Sequence, residues 1–375
     1  MSDLQVGPGP DAAPIQDPEL DASASGTSAT STTSVTSVTF TTAGVSVVAV
    51  VRDEERTLGP MLHSVLSQDH SGPLEIVLAV GPSRDATLRV AREWAALDRR
   101  VRLVDNPTGG RAEGLNAAMA ASCADFEIVV RVDGHAVLPP DYLRRALVGL
   151  DRTGAVNVGG MMVPVGVGAT QRAVACAMSH PAGIGSEAFH TGGEAGPAST
   201  VYLGAFRRSA LLAAGGYDRS LVRGEDWDLN RRLRERGGVV WFDPTLRVGY
   251  YPRASLRAVA TQFLRTGMWR REIISRDLRT VTPRYLAAPA LVLGLALSPV
   301  LGVAVALAGA SWWWLALLVP GLYVPALLGA AVHAGRGQGL AVIVRLPVVL
   351  AVMHVSWGAG FLRGVTPAAR REHRA

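Results

Sequence analysis

The stretch Phe126-Glu127-Ile128-Val129-Val130-Arg131-Val132-Asp133-Gly134-His135 decides how the rest of the chain reads. A β-branched run of this length, closing on an acid and a glycine, predicts a buried strand that delivers a carboxylate to a sheet edge. In an open α/β sheet the carboxyl ends of the strands are where ligands bind. Asp133 and His135, one glycine apart, have the chemistry to share a divalent cation, and Gly134 leaves the backbone free to approach a phosphate. Asp-Gly is equally a common turn pair. Taken alone, the stretch is either a metal-binding strand end or a plain strand-ending turn.

Upstream the same pattern recurs. Val45–Val51 is a continuous apolar run, followed by the polar Arg52-Asp53-Glu54-Glu55-Arg56 and a helix carrying Leu58, Met61, Leu62, Val65 and Leu66. A second strand over Leu74–Val80 leads into Gly81-Pro82-Ser83-Arg84-Asp85 and a helix over Thr87–Leu97. A third strand over 101–104, the Gly109-Gly110 loop and a helix over 112–121 complete the series. Strand–helix alternation at this spacing predicts a parallel, doubly wound α/β sheet. From about Asn157 the pattern turns irregular and glycine-rich, with a loop over 183–197, helices over 207–214 and 226–236, and short strands over 239–242 and 246–250.

The chain has 375 residues, enough for one large or two ordinary domains. It is 49% hydrophobic and only 18% charged, apolar for a soluble enzyme, and the excess collects after Tyr285. Net charge is +6 and every basic residue is arginine. That balance fits a protein lying against an anionic membrane or handling phosphates; nucleic-acid binding has only the arginine content in its favour and is not expected. Cys123 and Cys176 sit in Ala-rich stretches that read as helix packing, so neither a disulfide framework nor a zinc site is expected, and a reducing cytoplasmic side is.

Residues 1–44 are rich in Ser, Thr, Ala, Gly, Pro and Asp and read as a disordered tail, without the basic start and apolar core of a secretory signal. A catalytic domain is expected over 45–252. An arginine-studded interfacial region, with Leu256, Val259, Phe263 and Trp269 among the charges, follows over 253–284. A membrane region over 285–362 holds three apolar stretches, 286–308, 312–334 and 340–362, each with the roughly 20 residues needed to cross a bilayer. Trp312, Trp313 and Trp314 read as an interfacial belt. A basic tail, 363–375, ends the chain. Three full spans would carry Arg363, Arg370, Arg371 and Arg374 outside, against the positive-inside rule. Either that rule is broken here, or the third stretch, with Arg345 and His354, does not fully cross.

Four further groups carry chemistry. Arg52-Asp53-Glu54 follows the first strand, where a nucleotide would dock, although acids also favour helix starts. Gly81-Pro82-Ser83-Arg84-Asp85 is a second ligand loop or an ordinary turn. Asn116 precedes the Asp133 strand and would hydrogen-bond a nucleotide sugar or merely the backbone. Gly224-Glu225-Asp226-Trp227-Asp228 opens a helix whose dipole keeps its acids ionised, as a general base requires; simple capping is the alternative.

In this order the motifs resemble the membrane-associated family 2 glycosyltransferases, of the type related to succinoglycan biosynthesis. The resemblance rests on Arg131-Val132-Asp133-Gly134-His135-Ala136, Val201-Tyr202-Leu203-Gly204-Ala205-Phe206-Arg207-Arg208 and Gly215-Gly216-Tyr217-Asp218 with Glu225-Asp226. It also draws on Trp241-Phe242-Asp243-Pro244 with Tyr251-Pro252-Arg253, and it runs from about Val45 to Trp269. It implies a glycosyltransferase-A fold and a nucleotide-diphosphate-sugar donor held by Arg52, Glu54, Asp85, Asn116, Arg131 and Asp133. Asp133 falls on the first acid of the family's Asp-X-Asp motif and His135 replaces the second, so the two would hold Mg²⁺ or Mn²⁺. Asp226 falls on the catalytic base, with Glu225 beside it. Trp227, Gln262, Arg265 and Trp269 would face the acceptor; Gln262, Arg265 and Trp269-Arg270 resemble the family's Gln-X-X-Arg-Trp acceptor motif at altered spacing, so processive polymerisation is not inferred.

Two departures stand out. Val50 and Asp53 replace the Pro and Asn of the first-strand motif, and Val80 stands where the second strand usually ends in a base-contacting Asp, so uridine is not assumed. The resemblance therefore implies an inverting transfer to a lipid-linked or other saccharide acceptor, by an enzyme of the plasma or inner membrane with its catalytic domain in the cytoplasm. Transfer to polyprenyl phosphate is a second reading, and a non-catalytic component of a polysaccharide complex a third. No Gly-X-Gly-X-X-Gly follows the first strand, which argues against a dinucleotide oxidoreductase. No nucleophile elbow points to a covalent intermediate.

Overall fold

The computed structural model describes residues 42–185 and 187–365. The expected tail over 1–44 falls outside them except for its last three residues, and the basic tail over 363–375 except for its first three. Four parallel strands form the first half of the sheet: β1 (Val45–Val51), β2 (Leu74–Val80), β3 (Val101–Asp105) and β4 (Ile128–Arg131), in the order β3-β2-β1-β4. Their apolar runs are unbroken because both faces are covered. Val45, Val47, Ala49 and Val51 pack with α1 (Leu58–Leu66), α2 (Thr87–Leu97) and α4 (Tyr142–Thr153). Val48 and Val50 face the other way, onto α3 (Arg111–Ala121), α8 (Arg208–Ala213) and α9 (Glu225–Glu235). Ser46, a polar residue in a dry strand, donates to Glu75 Oε1 at 2.7 Å.

Past β4 the sheet is mixed rather than parallel. β8 (Tyr202–Arg207) runs antiparallel to β4, and β6 (Asn157–Pro164) antiparallel to β8. β9 (Val240–Tyr250) is parallel to β6, while the two-residue strands β5 (Ala136–Val137) and β7 (Gly196–Pro197) both pair with β9. β6 is thus an eight-residue strand where an irregular stretch is expected. Its Gly159-Gly160 breaks the apolar pattern for a steric reason: a Cβ on Gly160 would lie 1.8 Å from the Leu246 carbonyl oxygen. The two short strands expected over 239–250 are one strand, whose register against β6 jumps from Phe242 to Arg247. The glycine-rich segment after β6 holds α5 (Gly168–Met178), α6 (Pro181–Ile184) and α7 (Ala188–Thr191). Cys176 lies within α5 as expected, but Cys123 lies beyond the end of α3.

α10 (Leu256–Arg276) is the expected arginine-studded helix, capped by Ser255, whose hydroxyl accepts from Ala258 N at 3.3 Å. Three helices long and apolar enough to cross a membrane follow, over Pro283–Leu307, Ser311–Ala334 and Leu340–Arg363. They comprise α11 (Pro283–Leu307), a 3₁₀ segment with the three exposed tryptophans, α12 (Leu318–Ala334), α13 (Leu340–Ile343) and α14 (Leu346–Arg363). The third stretch is interrupted at Val344-Arg345. The apolar side of α10 is covered by protein, since Val259 and Phe263 share a cluster with Val349, Leu350 and Met353. The two helices approach so closely that a Cβ on Gly267 would lie 2.1 Å from the Trp357 carbonyl oxygen, and one on Gly360 2.0 Å from that of Leu264. Small residues at such crossings let helix backbones touch. Replacing Gly360 by Val should therefore separate α14 from α10 and cost about 2 kcal/mol. Thermal unfolding of purified protein checks this: the midpoint should fall by several degrees, while Val355→Ala, on an exposed part of the same helix, should leave it unmoved.

Candidate active site

The site lies at the carboxyl end of β4. After Arg131 the chain stays beside β1 for one more residue, with Val132 N donating to Val48 O at 3.0 Å, and then turns, Ala136 N bonding Asp133 O at 2.9 Å. The Asp-Gly turn and the ligand-bearing strand end are thus the same piece of chain. Arg131 is buried and bifurcates: Nη2 donates to Asp133 Oδ1 at 3.1 Å and to Glu225 Oε1 at 3.3 Å. Arg111, from the first turn of α3, donates to the same Glu225 oxygen at 3.3 Å. The Arg131 guanidinium also lies over the Tyr217 ring, 5.8 Å from its centroid. Burial works against ionisation of Asp133, but the charges of Arg131, Arg111 and His135 outweigh it and hold the carboxyl well below its usual range. Glu225 in turn raises the pKa of Arg111 despite burial.

The position of α9 follows from its own charges. Glu225, Asp226 and Asp228 occupy its first turn, where the helix dipole favours acids. Asp228 pairs with Arg231 at 3.0 Å and Arg232 at 2.7 Å, and Arg232 donates onward to Ala214 O and, at 2.8 Å, to Gly216 O. Asn116 grips the neighbouring residue from α3, its amide giving to Tyr217 O at 2.8 Å and taking from Tyr217 N at 2.9 Å. Both polar atoms of Asn116 thus serve the backbone, the second of the two uses open to it. The loop so held sets Tyr217 on Arg131.

Glu225 and Asp226 are adjacent but differ in kind. Glu225 is 1% exposed and locked between two arginines. Asp226 is half-buried and has no ion pair among the described residues; its Oδ1 accepts from Trp227 N at 2.7 Å. Beyond it, Arg270 lies over Trp227 with its guanidinium carbon 4.8 Å from that ring centroid.

The first-strand loop is fastened to the second. Asp53, at φ +57°, accepts from Arg84 N at 2.7 Å, Glu54 N donates to Thr87 Oγ1 at 2.7 Å, and Glu55 N donates to Asp85 Oδ2 at 3.0 Å. Asp85, expected at the donor, therefore has its carboxylate engaged in this clasp, where the Thr87 hydroxyl bond leads in lowering its pKa. Glu54, also expected at the donor, accepts from the Thr57 hydroxyl at 2.5 Å and bonds His135 Nδ1 at 2.8 Å. Arg52 is half-exposed beside Asp53, 3.9 Å away.

No cluster of three or more His, Cys, Asp or Glu able to hold a metal occurs among the described residues. The donor set at hand is Asp133 with His135. A ligating histidine typically gives its other ring nitrogen to a carboxylate, as His135 Nδ1 does to Glu54, which leaves Nε2 for a metal. Two protein ligands fit an octahedral ion that takes its remaining positions from phosphates and water.

Of the residues expected at the acceptor, Trp227 stands beside Asp226, whereas Trp269 is buried at 7% exposure within the helical region. Gln262 is half-buried on α10, its carbonyl accepting from the Thr266 hydroxyl at 2.9 Å, and Arg265 is exposed. Sequence reasoning did not single out Arg111, Arg223 or His190. Burial, with the like charges of Arg111, Arg265 and Arg253, depresses the pKa of Arg223 to about 10. Nothing in local spacing marks it, because its neighbours come from distant elements.

Residues 43–268 match the family model described as "Glycosyltransferase like family 2". The succinoglycan biosynthesis protein ExoA of Rhizobium meliloti (strain 1021) is 32% identical over 299 residues, 79% of this chain and 87% of that protein. The putative glycosyltransferase EpsE of Bacillus subtilis (strain 168) is 33% identical over 110 residues, 29% of this chain and 38% of that one. Among solved structures, the mannosyltransferase PcManGT from Pyrobaculum calidifontis, in complex with GDP-Man and Mn²⁺, shares the fold. Its TM-score is 0.50 over 86% of this chain and 87% of that one, at 19% identity. The mixed sheet is accordingly of the glycosyltransferase-A kind, and the chain belongs to the family 2 glycosyltransferases.

Proposed function

We propose that this enzyme moves a sugar from a nucleotide-diphosphate-sugar to a hydroxyl of a lipid-linked saccharide, with inversion, in the synthesis of a cell-surface or exported polysaccharide. One observation carries the reading. Arg131 bridges Asp133 and Glu225, so a carboxylate suited to a diphosphate–metal complex stands next to α9, and the following acid, Asp226, has no ion pair among the described residues. Asp226 is the group available to take the acceptor proton. Glu225, locked by two arginines, acts as a positioning residue. Asp133 and His135 are the residues to hold Mg²⁺ or Mn²⁺, with Glu54 orienting the imidazole. Such an ion supplies electrostatic stabilisation of the departing diphosphate. Arg131 keeps Asp133 ionised, and half-exposed Arg52, beside Asp53, would meet the nucleotide. Asn116 and Asp85 serve the donor indirectly, by fixing the loops around it. The complex of PcManGT with GDP-Man and Mn²⁺ supports a nucleotide-sugar donor and a divalent ion, and the name of ExoA supports a polysaccharide product.

The apolar helices support a multi-pass protein of the plasma or inner membrane with a cytoplasmic catalytic domain, and their packing favours two crossings over three. α11 starts beside the catalytic domain, where Arg284 pairs with Glu187. α12 ends beside it, with the His333 and His180 rings 5.2 Å apart. α14 lies against it and against α10: Leu346 packs in a cluster with Val174 of α5, His354 Nε2 bonds Ala182 O at 2.5 Å, and Arg271 of α10 donates to Phe361 O at 3.3 Å. A helix that begins and ends on one side does not cross. Its C-terminus then returns to the cytoplasm, and the positive-inside rule holds.

Replacing Asp226 by Asn should lower transfer about 100-fold or more with folding intact. Asp133→Ala and treatment with a chelator should each abolish metal-dependent cleavage of the nucleotide sugar. A radiolabelled nucleotide-sugar assay on membranes reads both, and full transfer by Asp226→Asn and Asp133→Ala would refute the assignment. Fusing green fluorescent protein or alkaline phosphatase after the last residue tests the topology. A fluorescent, phosphatase-negative result is expected, and an active phosphatase would mean three crossings.

A further inference from the structure

Where α9, α10 and the start of α11 meet, beside Asp226, lies a group of polar atoms that the transfer chemistry leaves unused. Arg270 is sandwiched between two rings, its guanidinium carbon 4.8 Å from the centroid of Trp227 and 4.3 Å from that of Tyr285. Its Nη1 is buried and has no hydrogen-bond partner among the described residues. The buried Nδ1 of His190, at the end of α7, likewise has none among them. Geometry links the two residues: His190 N donates to Glu187 O at 2.9 Å, Glu187 pairs with Arg284, and the guanidinium groups of Arg284 and Arg270 both lie over the Tyr285 ring. Arg284 adds a second guanidinium, paired with Glu187 and 4.8 Å from the Tyr285 ring centroid. Burial drives the pKa of His190 down to about 4, which leaves its ring neutral near pH 7 and able to donate or accept.

An unpartnered buried guanidinium nitrogen is costly, of the order of 1–3 kcal/mol or more for a charged group, and such groups call for a missing partner. The two aromatic rings meet the guanidinium by cation–π contact, and neither supplies the hydrogen-bond acceptor that its N–H groups call for. A planar fork presented edge-on matches phosphate oxygens in geometry and charge. Its location selects the source of that phosphate, since Tyr285 and Arg284 open the first apolar helix and lie at the catalytic end of it.

We propose that Arg270, walled by Trp227 and Tyr285 and assisted by His190, binds the phosphate that joins the acceptor saccharide to its lipid. The site rests on the lipid-linked acceptor of the proposed function and assigns residues to it. The phosphate would anchor the acceptor at the membrane entrance while its sugar reaches Asp226. The donor diphosphate is held separately, at Asp133 and His135.

The test is calorimetric titration of the full chain in dodecyl maltoside micelles with farnesyl diphosphate, in EDTA so that no metal recruits the diphosphate to Asp133 and His135. Arg270→Gln should weaken binding about tenfold or more, and Arg270→Lys should weaken it less, as expected for loss of a charge-assisted hydrogen bond. His190→Ala supplies a second, smaller loss should Arg270→Gln unfold, and circular dichroism reports the folding of each variant. Inorganic pyrophosphate and phosphatidylglycerol nanodiscs distinguish sources: tight Arg270-dependent binding of either in preference to farnesyl diphosphate would overturn the lipid-carrier assignment. Equal affinity of the wild type and Arg270→Gln for farnesyl diphosphate, or no binding by the folded wild type, would overturn the site itself. Loss of this site with Asp226-dependent transfer intact would leave the proposed function standing, whereas absence of any transfer would remove that reading first.

Discussion

A buried ion pair holds this molecule's chemistry together. Arg131, the last residue of a central strand, meets Glu225, the first residue of a helix 94 positions later, in a space closed to solvent. Two charges removed from water lose several kcal/mol of hydration each, which mutual attraction recovers only when their remaining valences are met. Here they are: Glu225 also takes Arg111, and Arg131 also takes Asp133 and lies over Tyr217. The arrangement constrains position more than it adds stability. Either charge alone would be an uncompensated ion in the core, so β4 and α9 are obliged to stay together. The two flanking acids, Asp133 and Asp226, inherit their separation from that obligation.

The parallel half of the fold was legible in the sequence because its signals are local. β1, β2 and α2 have the bounds that apolar runs and helical spacing predict, and the strand carrying Asp133 is where its β-branched run puts it. Beyond Asn157 legibility fails for a steric reason. Gly159 and Gly160 lie in a strand because Leu246, Val201 and Tyr202 crowd against them, and no window of sequence contains both sides of that contact. The antiparallel turn of the sheet is equally non-local, with β8 reaching β4 from some eighty residues away.

At the site, residue types were legible and their division of labour was not. Glu225 and Asp226 look alike in sequence, and only the ion pairs of Arg111 and buried Arg131 with one of them separate a locked carboxylate from one that has no ion pair among the described residues. His135 stands out in sequence beside Asp133, but the Glu54 carboxylate that bonds its ring lies 81 residues earlier. The third apolar stretch has the composition of a membrane span, and Gly358 and Gly360 bring it close against Ala288 and Leu264. Length and hydropathy describe what a helix can do, and its packing partners come from distant parts of the sequence.

The coupling between Arg131 and Glu225 is the quantity on which this account turns. A double-mutant cycle with Arg131→Met, Glu225→Gln and the pair, measured as unfolding free energy, isolates it. The account predicts strong non-additivity, with each single change harmful and the double change less harmful than their sum by about 1.5 kcal/mol or more. Additivity to within about 0.3 kcal/mol would contradict it, because it would mean that the strand end and the helix start are held together by something else.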